Sequence, residues 1–207
     1  MMQIGDRYID PTARLNVPFR PLQGFVPSTK GHSTEPVPLP NKVYIGPFCV
    51  IGEDTRLGER VIIDEFCKIG RACIIGDDTL IVYRSNIGAG AQIGANCVIG
   101  GVISENCRVG TNCKIFGKVI HKHLNSLASW DHSEPEESVK IHDMSFVGFD
   151  AILAGRINIG PRAYVCAGSI ITRDVPPLHI AYETNKIIHF EAWKGPLRTN
   201  PVFHAPG

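Results

Sequence analysis

The sequence has little that would indicate a nucleic-acid-binding protein or a membrane protein. Its 21 Lys and Arg residues are nearly balanced by 20 Asp and Glu residues, which leaves a formal net charge of +1 over 207 residues. A chain this close to neutral has no basic field to attract a phosphate backbone. Glycine, proline and charged residues interrupt each apolar stretch before it reaches the roughly 20 residues of a membrane span. We therefore expect no nucleic acid and no membrane among its partners.

The seven cysteines lack the spacings of a disulfide framework or a zinc site. Their number is odd, and no CxxC pair occurs among them. A secretory signal peptide is also unsupported, because Asp6 and Arg7 stand where its apolar stretch would lie. These features predict a cytoplasmic protein without a bound metal.

What the sequence does have is an aliphatic residue at every sixth position. Gly follows eight of the first ten of these residues, which suits a tight corner that needs a positive φ or a close backbone approach. Ten matches in a row lie far beyond chance, so the period is real. The ten are Ile45, Ile51, Leu57, Ile63, Ile69, Ile75, Ile81, Ile87, Ile93 and Ile99.

A second series, of small residues, lies two positions before each aliphatic residue. Residues two apart in a strand face the same side, so each hexad is predicted to turn one large and one small side chain inward. Stacked hexads then bury one another's apolar faces. Six cysteines occupy the small inward position and are interpreted as core residues, whereas Cys166 falls in a corner. The six are Cys49, Cys67, Cys73, Cys97, Cys107 and Cys113.

The repeats extend from residue 9 to about residue 172 in a single domain of residues 1–207. The aliphatic series slips once, from Ile99 to Ile103, and returns in its original phase at Ile141. Two insertions, residues 16–38 and residues 122–140, interrupt it. In the C-terminal tail, residues 173–207, the period ends, and residues 185–194 are predicted to form a short helix.

Units of an aliphatic residue, Gly, two variable residues, a small residue and a further variable one resemble the hexapeptide-repeat acyltransferase superfamily. This resemblance implies an all-β fold, a left-handed parallel β-helix with three hexads per coil, and a homotrimer. A narrower resemblance, to sugar O-acetyltransferases and nucleotide-sugar N-acetyltransferases, covers residues 145–188. Its central run is Ala167-Gly168-Ser169-Ile170-Ile171-Thr172-Arg173-Asp174-Val175-Pro176-Pro177.

The same resemblance implies a coenzyme A dependent acyltransferase that needs no metal. The acyl group, acetyl foremost, would pass from acetyl-CoA to an amine or hydroxyl of a sugar, a nucleotide sugar or a comparable small metabolite. The usual Gly-Asn-Pro-Ala-Lys turn is replaced by residues 181–186, which keep only the Asn and the Lys. Phe149 stands where the family has a small residue. The positions that match the coenzyme A motif are Phe149, Ala167, Gly168, Thr172, Arg173 and Lys186.

The transfer needs a base near neutral pH, and imidazole fits that requirement. His121 and His123 lie where the repeats break into the second insertion, as the catalytic histidine does in the related acetyltransferases. Continuing the slipped phase predicts that His121 fills an inward slot and that His123 lies just beyond the corner. An inward imidazole needs a partner to offset its desolvation. We therefore favour His123 as the base, with His121 as the alternative.

Two further interpretations stay open at this point. A γ-type carbonic anhydrase shares the β-helix but needs three zinc-binding histidines at spacings that this sequence does not match. A noncatalytic β-helix that serves as a scaffold is favoured by Phe149 and by the altered turn. Tyr83 and Arg84 form a bulky corner on a different edge from His123, with acceptor binding or a surface role as the choices.

Overall fold

The chain folds into a three-sided parallel β-solenoid. The computed structural model describes residues 2–4, 7–10, 12–15, 42–121 and 138–205. Each coil consists of three short strands joined by three corners, and the strands of successive coils pair side by side. The all-β, parallel architecture that the resemblance implied is confirmed. The handedness implied by the resemblance stays a prediction.

The described part contains 25 strands, two 3₁₀ segments and one short α-helix. None of these helices is long and apolar enough to cross a bilayer. The strands are β1 (Met2–Ile4), β2 (Arg7–Ile9), β3 (Arg14–Leu15), β4 (Tyr44–Ile45), β5 (Val50–Ile51), β6 (Arg56–Leu57), β7 (Ile62–Ile63), β8 (Lys68–Ile69), β9 (Ile74–Ile75), β10 (Leu80–Ile81), β11 (Asn86–Ile87), β12 (Gln92–Ile93), β13 (Val98–Ile99), β14 (Val102–Ile103), β15 (Arg108–Val109), β16 (Lys114–Ile115), β17 (Lys118–Ile120), β18 (Lys140–Ile141), β19 (Phe146–Val147), β20 (Ile152–Ala154), β21 (Asn158–Ile159), β22 (Tyr164–Val165), β23 (Ile170–Ile171), β24 (His179–Tyr182) and β25 (Lys186–His189). The 3₁₀ segments are Phe190–Ala192 and Pro196–Thr199, and helix α1 is Pro201–His204.

Three sheets form the faces of the solenoid. The first has the order β1-β2-β4-β7-β10-β13-β16-β19-β22-β24-β25, the second β23-β20-β17-β14-β11-β8-β5-β3, and the third β21-β18-β15-β12-β9-β6. Pairing is parallel except in the two hairpins β1–β2 and β24–β25, which close the ends of the first sheet. Ile81 lies opposite Ile63, so a regular coil takes 81 minus 63, or 18, residues. Three hexads per coil are thereby confirmed.

The core is a set of columns of inward side chains. The aliphatic residues from Ile63 to Ile99 are each at most 2% exposed. Burying each of them contributes about 1.5–3 kcal/mol relative to an exposed side chain. The six cysteines predicted at the small inward position are also buried, whereas Cys166 is half-buried. The thiols are therefore part of the packing, as predicted.

The glycines that follow the aliphatic residues are required by close approach between coils. A Cβ on Gly52 would lie 2.4 Å from the backbone nitrogen of Arg71 in the next coil. The left-handed conformation falls two positions later, at residues such as Asp54 with φ 58°. Of the two reasons expected for glycine here, the close approach is thus the one that applies at Gly52.

We name the corners by the faces they join. The first edge joins the first sheet to the second, the second edge joins the second to the third, and the third edge returns to the first sheet. In two successive coils the first edge shortens from four residues to two, at residues 100–101 and at residues 116–117. The aliphatic series therefore slips twice, where the sequence predicted one slip.

The second slip corrects the predicted position of His121. Val119, in β17, is 0% exposed and fills the inward slot that the sequence assigned to His121. His121 follows the end of this strand and is half-buried. The prediction was wrong because the second slip comes just before the insertion, where the period gives no further residue to reset the phase.

The predicted helix over residues 185–194 is also wrong. Residues 186–189 of this segment form strand β25, which pairs antiparallel with β24, and only the 3₁₀ segment Phe190–Ala192 is helical. A second strand here pairs with the backbone groups of β24 at the end of the first sheet. Phe203 of helix α1, 5% exposed, then packs against Phe190 at a ring distance of 4.8 Å.

Candidate functional site

One of the two candidate bases, His121, belongs to the second edge. His121 directly precedes residues 122–137, and the carbonyl of the adjacent Ile120 accepts a hydrogen bond of 3.0 Å from the N–H of Gly155 in the next coil. This bond ties the strand that ends before His121 to the following coil. His123 lies outside the described residues, so its assignment as the base stays a prediction.

Buried polar groups hold the other end of the insertion. The hydroxyls of Ser104 and Ser138 lie 2.6 Å apart, and both residues are less than 9% exposed. The thiol of Cys107 donates to the carbonyl of Val139 over 3.2 Å. Burial raises the pKa of Cys107 to about 12, so this thiol is protonated at neutral pH. These contacts position the return of the chain and make Cys107 a poor nucleophile.

Three of the predicted coenzyme A residues share the first edge. The N–H of Gly168 donates to the carbonyl of Phe149 over 2.9 Å, and Ala167 lies beside it. Gly168 has φ +69°, and a Cβ placed on it would meet no atom within 4 Å. Ala167 and Gly168 thus present exposed backbone with almost no side chain.

The side chain of Phe149 closes one side of this strip. It is 64% exposed and stacks on Phe116, with ring centroids 4.5 Å apart and an angle of 16° between the planes. Phe116 in turn covers the shortened corner, since a Cβ on Gly100 would lie 2.9 Å from its ring. Phe149 is therefore held in place by a second ring and presents its other face to solvent.

The other three predicted residues gather around Asn185 near the second edge. The side-chain oxygen of Asn185 accepts from the N–H of Thr172 over 2.8 Å, and its amide group donates to the Thr172 hydroxyl over 2.9 Å. The guanidinium of Arg173 donates to the carbonyl of Asn185. Lys186 follows Asn185, and its ammonium lies 2.6 Å from the Glu183 carboxylate.

Electrostatics in this second group is set by neighbouring charges. The Glu183 carboxylate raises the pKa of Lys186, which is therefore fully charged at neutral pH.

The predicted set did not include Asn185, although the sequence did retain this residue from the usual turn motif. Its left-handed φ of 56° places it at the hairpin turn, where its side chain reaches the second edge.

The six predicted residues therefore form two clusters rather than one site. Strand β23 lies between them, with Gly168 before it and Thr172 after it. The two clusters therefore lie at opposite edges of one face. Four residues of extended chain span at most about 14 Å, which limits the distance between Gly168 and Thr172. The coenzyme A motif grouped these six residues as one set and did not show this division between two edges.

The residues that the sequence singled out at Tyr83 and Arg84 also lie on the first edge. Tyr83 is 46% exposed and meets Phe66 edge to face at 5.9 Å, and Phe66 stacks on Phe48 at 5.0 Å. The Arg84 guanidinium lies 5.3 Å from the centre of the Tyr83 ring. Three exposed rings thus line the first edge in the coils that precede the shortened corners. His121 lies on the second edge.

The described ranges, residues 42–121 and 138–205 included, hold no complete metal centre within one copy of the chain. No three His, Cys, Asp or Glu side chains stand there as a group that could hold an ion.

No protein-family model matches the chain. Over 90 residues it is 33% identical to the bifunctional protein GlmU of Francisella tularensis subsp. novicida, a match that covers 44% of this chain and 18% of that protein. The GlmU of Francisella philomiragia is 30% identical over 90 residues, with the same coverage. The chain thus spans about a fifth of the length of these curated relatives.

Several solved structures are similar to the chain. AntD, an N-acyltransferase from Bacillus cereus solved with dTDP and 3-hydroxybutyryl-CoA, has a TM-score of 0.47 at 16% identity, covering 71% of this chain and 79% of that one. A perosamine N-acetyltransferase mutant from Caulobacter crescentus, solved with CoA and GDP-perosamine, has a TM-score of 0.42 at 22% identity, covering 68% and 52%. At these scores the likeness is too distant to assign an activity.

Proposed function

We propose that the protein is a coenzyme A dependent acyltransferase that uses acetyl-CoA and a small acceptor. The acceptor is an amine or hydroxyl of a sugar, a nucleotide sugar or a similar metabolite. The observation that carries the proposal is the exposed backbone strip of Ala167 and Gly168, which lies in the segment resembling sugar and nucleotide-sugar acetyltransferases. A narrow pantetheine arm can lie close to backbone that has no side chains in the way.

Charge near the second edge supports the same proposal. Arg173 and Lys186 are both exposed cations, and Arg173 has further N–H donors besides the one that contacts Asn185. A guanidinium with free donors suits the phosphates of coenzyme A. The two residues would bind the charged end of the cosubstrate, while the strip at Gly168 would bind its uncharged arm.

The reaction needs one proton transfer in each direction. His123, or His121 in its place, would take the proton from the acceptor amine or hydroxyl as its nitrogen or oxygen attacks the thioester carbonyl. The tetrahedral intermediate then collapses, the C–S bond breaks, and the imidazolium returns the proton to the leaving thiolate. Backbone N–H groups along the edge would stabilise the oxyanion.

The division of the six residues between two edges favours a homotrimer. One coenzyme A molecule would touch both clusters if it lay between the first edge of one copy and the second edge of another. A cyclic arrangement supplies this contact three times, because each copy then offers both edges. The exposed rings of Phe48 and Phe66 on the first edge give such a contact apolar area.

The first test is a thermal shift with acetyl-CoA, followed by a coenzyme A release screen over amino sugars, nucleotide sugars and small alcohols. We expect millimolar acetyl-CoA to raise Tm, since a ligand that binds only the folded state stabilises it. His123→Ala should lower kcat by about 10²- to 10⁴-fold, the usual contribution of general acid–base catalysis. The matched control is His142→Ala, which replaces an exposed histidine on the third edge.

Three outcomes would decide the proposal. Activity that survives in both His123→Ala and His121→Ala would remove the base assignment. A Tm unaffected by acetyl-CoA would instead favour the noncatalytic scaffold. Loss of activity in the His121→Ala variant alone would identify His121 as the base.

A second experiment tests the shared site. Gly168→Trp should block the first edge, and His123→Ala the second edge, so each variant alone is expected to be inactive. Mixed trimers of the two should regain on the order of a quarter of wild-type activity, because sites built from two unmodified edges form at random. Mixtures that stay inactive after refolding together would contradict a site between copies.

A further inference from the structure

The hairpin of β24 and β25 carries two histidines directly opposite each other. His179 and His189 are partners in the antiparallel register. Their ring centroids lie 5.1 Å apart, with an angle of 80° between the ring planes. Neither residue has a role in the proposed acyl transfer. Both are partly exposed, and the side chain of His189 is 39% exposed, so an ion from solvent can reach them.

The Nδ1 atom of each ring has an acceptor nearby. His179 Nδ1 lies 2.7 Å from the carbonyl of Pro177, so this nitrogen carries the proton and donates. The Nε2 atom of His179 therefore has a lone pair to offer. Histidines that bind metal ions typically donate their other N–H to a carbonyl or a carboxylate in this way.

His189 can adopt the same arrangement. Its Nδ1 atom accepts a long hydrogen bond of 3.4 Å from the N–H of Glu191 and lies 3.6 Å from the carboxylate of that residue. Moving the ring proton to Nδ1 would replace this long bond with donation to the carboxylate. The Nε2 atom of His189 would then also have a free lone pair.

The separation of the two rings suits a shared ion. Zinc binds imidazole nitrogen at about 2.0–2.1 Å, and a tetrahedral angle at the ion puts the centroids of two bound rings about 5 Å apart. The observed distance of 5.1 Å matches this value. The carboxylate of Glu191 also makes the immediate surroundings favourable for a cation.

We propose that His179 and His189 bind a divalent transition-metal ion through their Nε2 atoms, with water completing the coordination. In the described part of the chain no group of three metal ligands occurs, so the site has two protein ligands and exchanges its ion readily. Imidazole ligands favour Zn²⁺, Cu²⁺ or Ni²⁺ over Mg²⁺ and Ca²⁺. The bound ion would clip β24 to β25, whose turn carries Asn185.

The test is a titration of the full chain with Zn²⁺ and, separately, with Cu²⁺. Calorimetry measures the binding of the ion, and Tm measures its effect on stability. We expect one ion per chain and a Tm that rises with ion concentration, with no rise in Mg²⁺. His179→Gln and His189→Gln should each lower the affinity at least tenfold, and Glu191→Gln about tenfold. His204→Gln, a histidine of the same tail, should leave the affinity unchanged.

Nuclear magnetic resonance of the wild-type protein gives a readout that does not depend on the variants folding. Zn²⁺ should shift the Nε2 resonances of both His179 and His189 while their Nδ1 atoms stay protonated. The proposal is overturned if no saturable binding occurs below about 1 mM Zn²⁺, corresponding to the weakest specific affinities. It is likewise overturned if either Gln variant binds as the wild type does, or if Zn²⁺ shifts only other histidines.

Discussion

The coils over residues 44–93 and those over residues 98–159 share one kind of core but differ at their corners. In the first region every coil takes 18 residues, whereas in the second the first edge twice loses two residues and the second edge carries the insertion. Yet Ile103 and Val119 in the irregular region are 1% and 0% exposed, as well buried as Ile87 in the regular one. The inward columns therefore tolerate changes in the corners, which leaves the corners free to carry function.

The largest expected change in stability tests whether the core of the regular coils and the core of the irregular coils contribute equally. Ile87→Ala and Ile103→Ala should each lower the free energy of unfolding by about 2–5 kcal/mol, because both remove a fully buried side chain and leave a cavity. Urea denaturation of the two variants measures this directly. A loss at Ile103 less than half that at Ile87 would mean that the shortened corners loosen the irregular core.

A smaller effect is expected when Gly52 and Gly168 are substituted, because the fold requires glycine at these two positions for different structural reasons. Gly52→Ala should cost about 1–3 kcal/mol, because its Cβ would press on the backbone of the next coil at 2.4 Å. Gly168→Asn should cost less than about 1 kcal/mol, because the space is open and Asn tolerates the left-handed conformation. Thermal unfolding of both variants checks the order, and the reverse order would contradict the close-approach explanation.

The smallest effect concerns an ion pair on the third edge of the regular coils. The guanidinium of Arg60 lies 2.6 Å from the Asp78 carboxylate and lowers the pKa of that group. The stabilisation is present above the ordinary pKa of aspartate and is lost as the pH falls through the lowered value. Asp78→Asn should therefore lower Tm slightly at pH 7, and this loss should shrink as the pH falls below the ordinary pKa of aspartate; salt should also reduce it. A loss of Tm that does not shrink as the pH falls would exclude this cause.

Most of the fold was predictable from the sequence because the period repeats without tertiary information. Ile81 and Cys97 are buried where their positions in the hexads predicted. His121 was misplaced because the second slip precedes an aperiodic insertion. The C-terminal strand β25 was missed because its pairing partner, not its own pattern, makes it a strand.

The candidate site was predictable only in part. The motif around Gly168 and Thr172 identified residues that the fold does expose at its edges. The motif grouped them as one set, whereas the fold separates them by β23, because one hexad carries the chain from the first edge to the second. Asn185 had one sequence signal, its place in the altered turn, but its contacts with Thr172 depend on the hairpin.

The sequence by itself determined the solenoid, since alternation within a strand and repetition every six residues fix which side chains face inward. The tertiary structure decided which corners share an edge, where the coils shorten and how the last hairpin folds back. These features depend on contacts between coils and on the free edge of the first sheet, and no local pattern encodes either one.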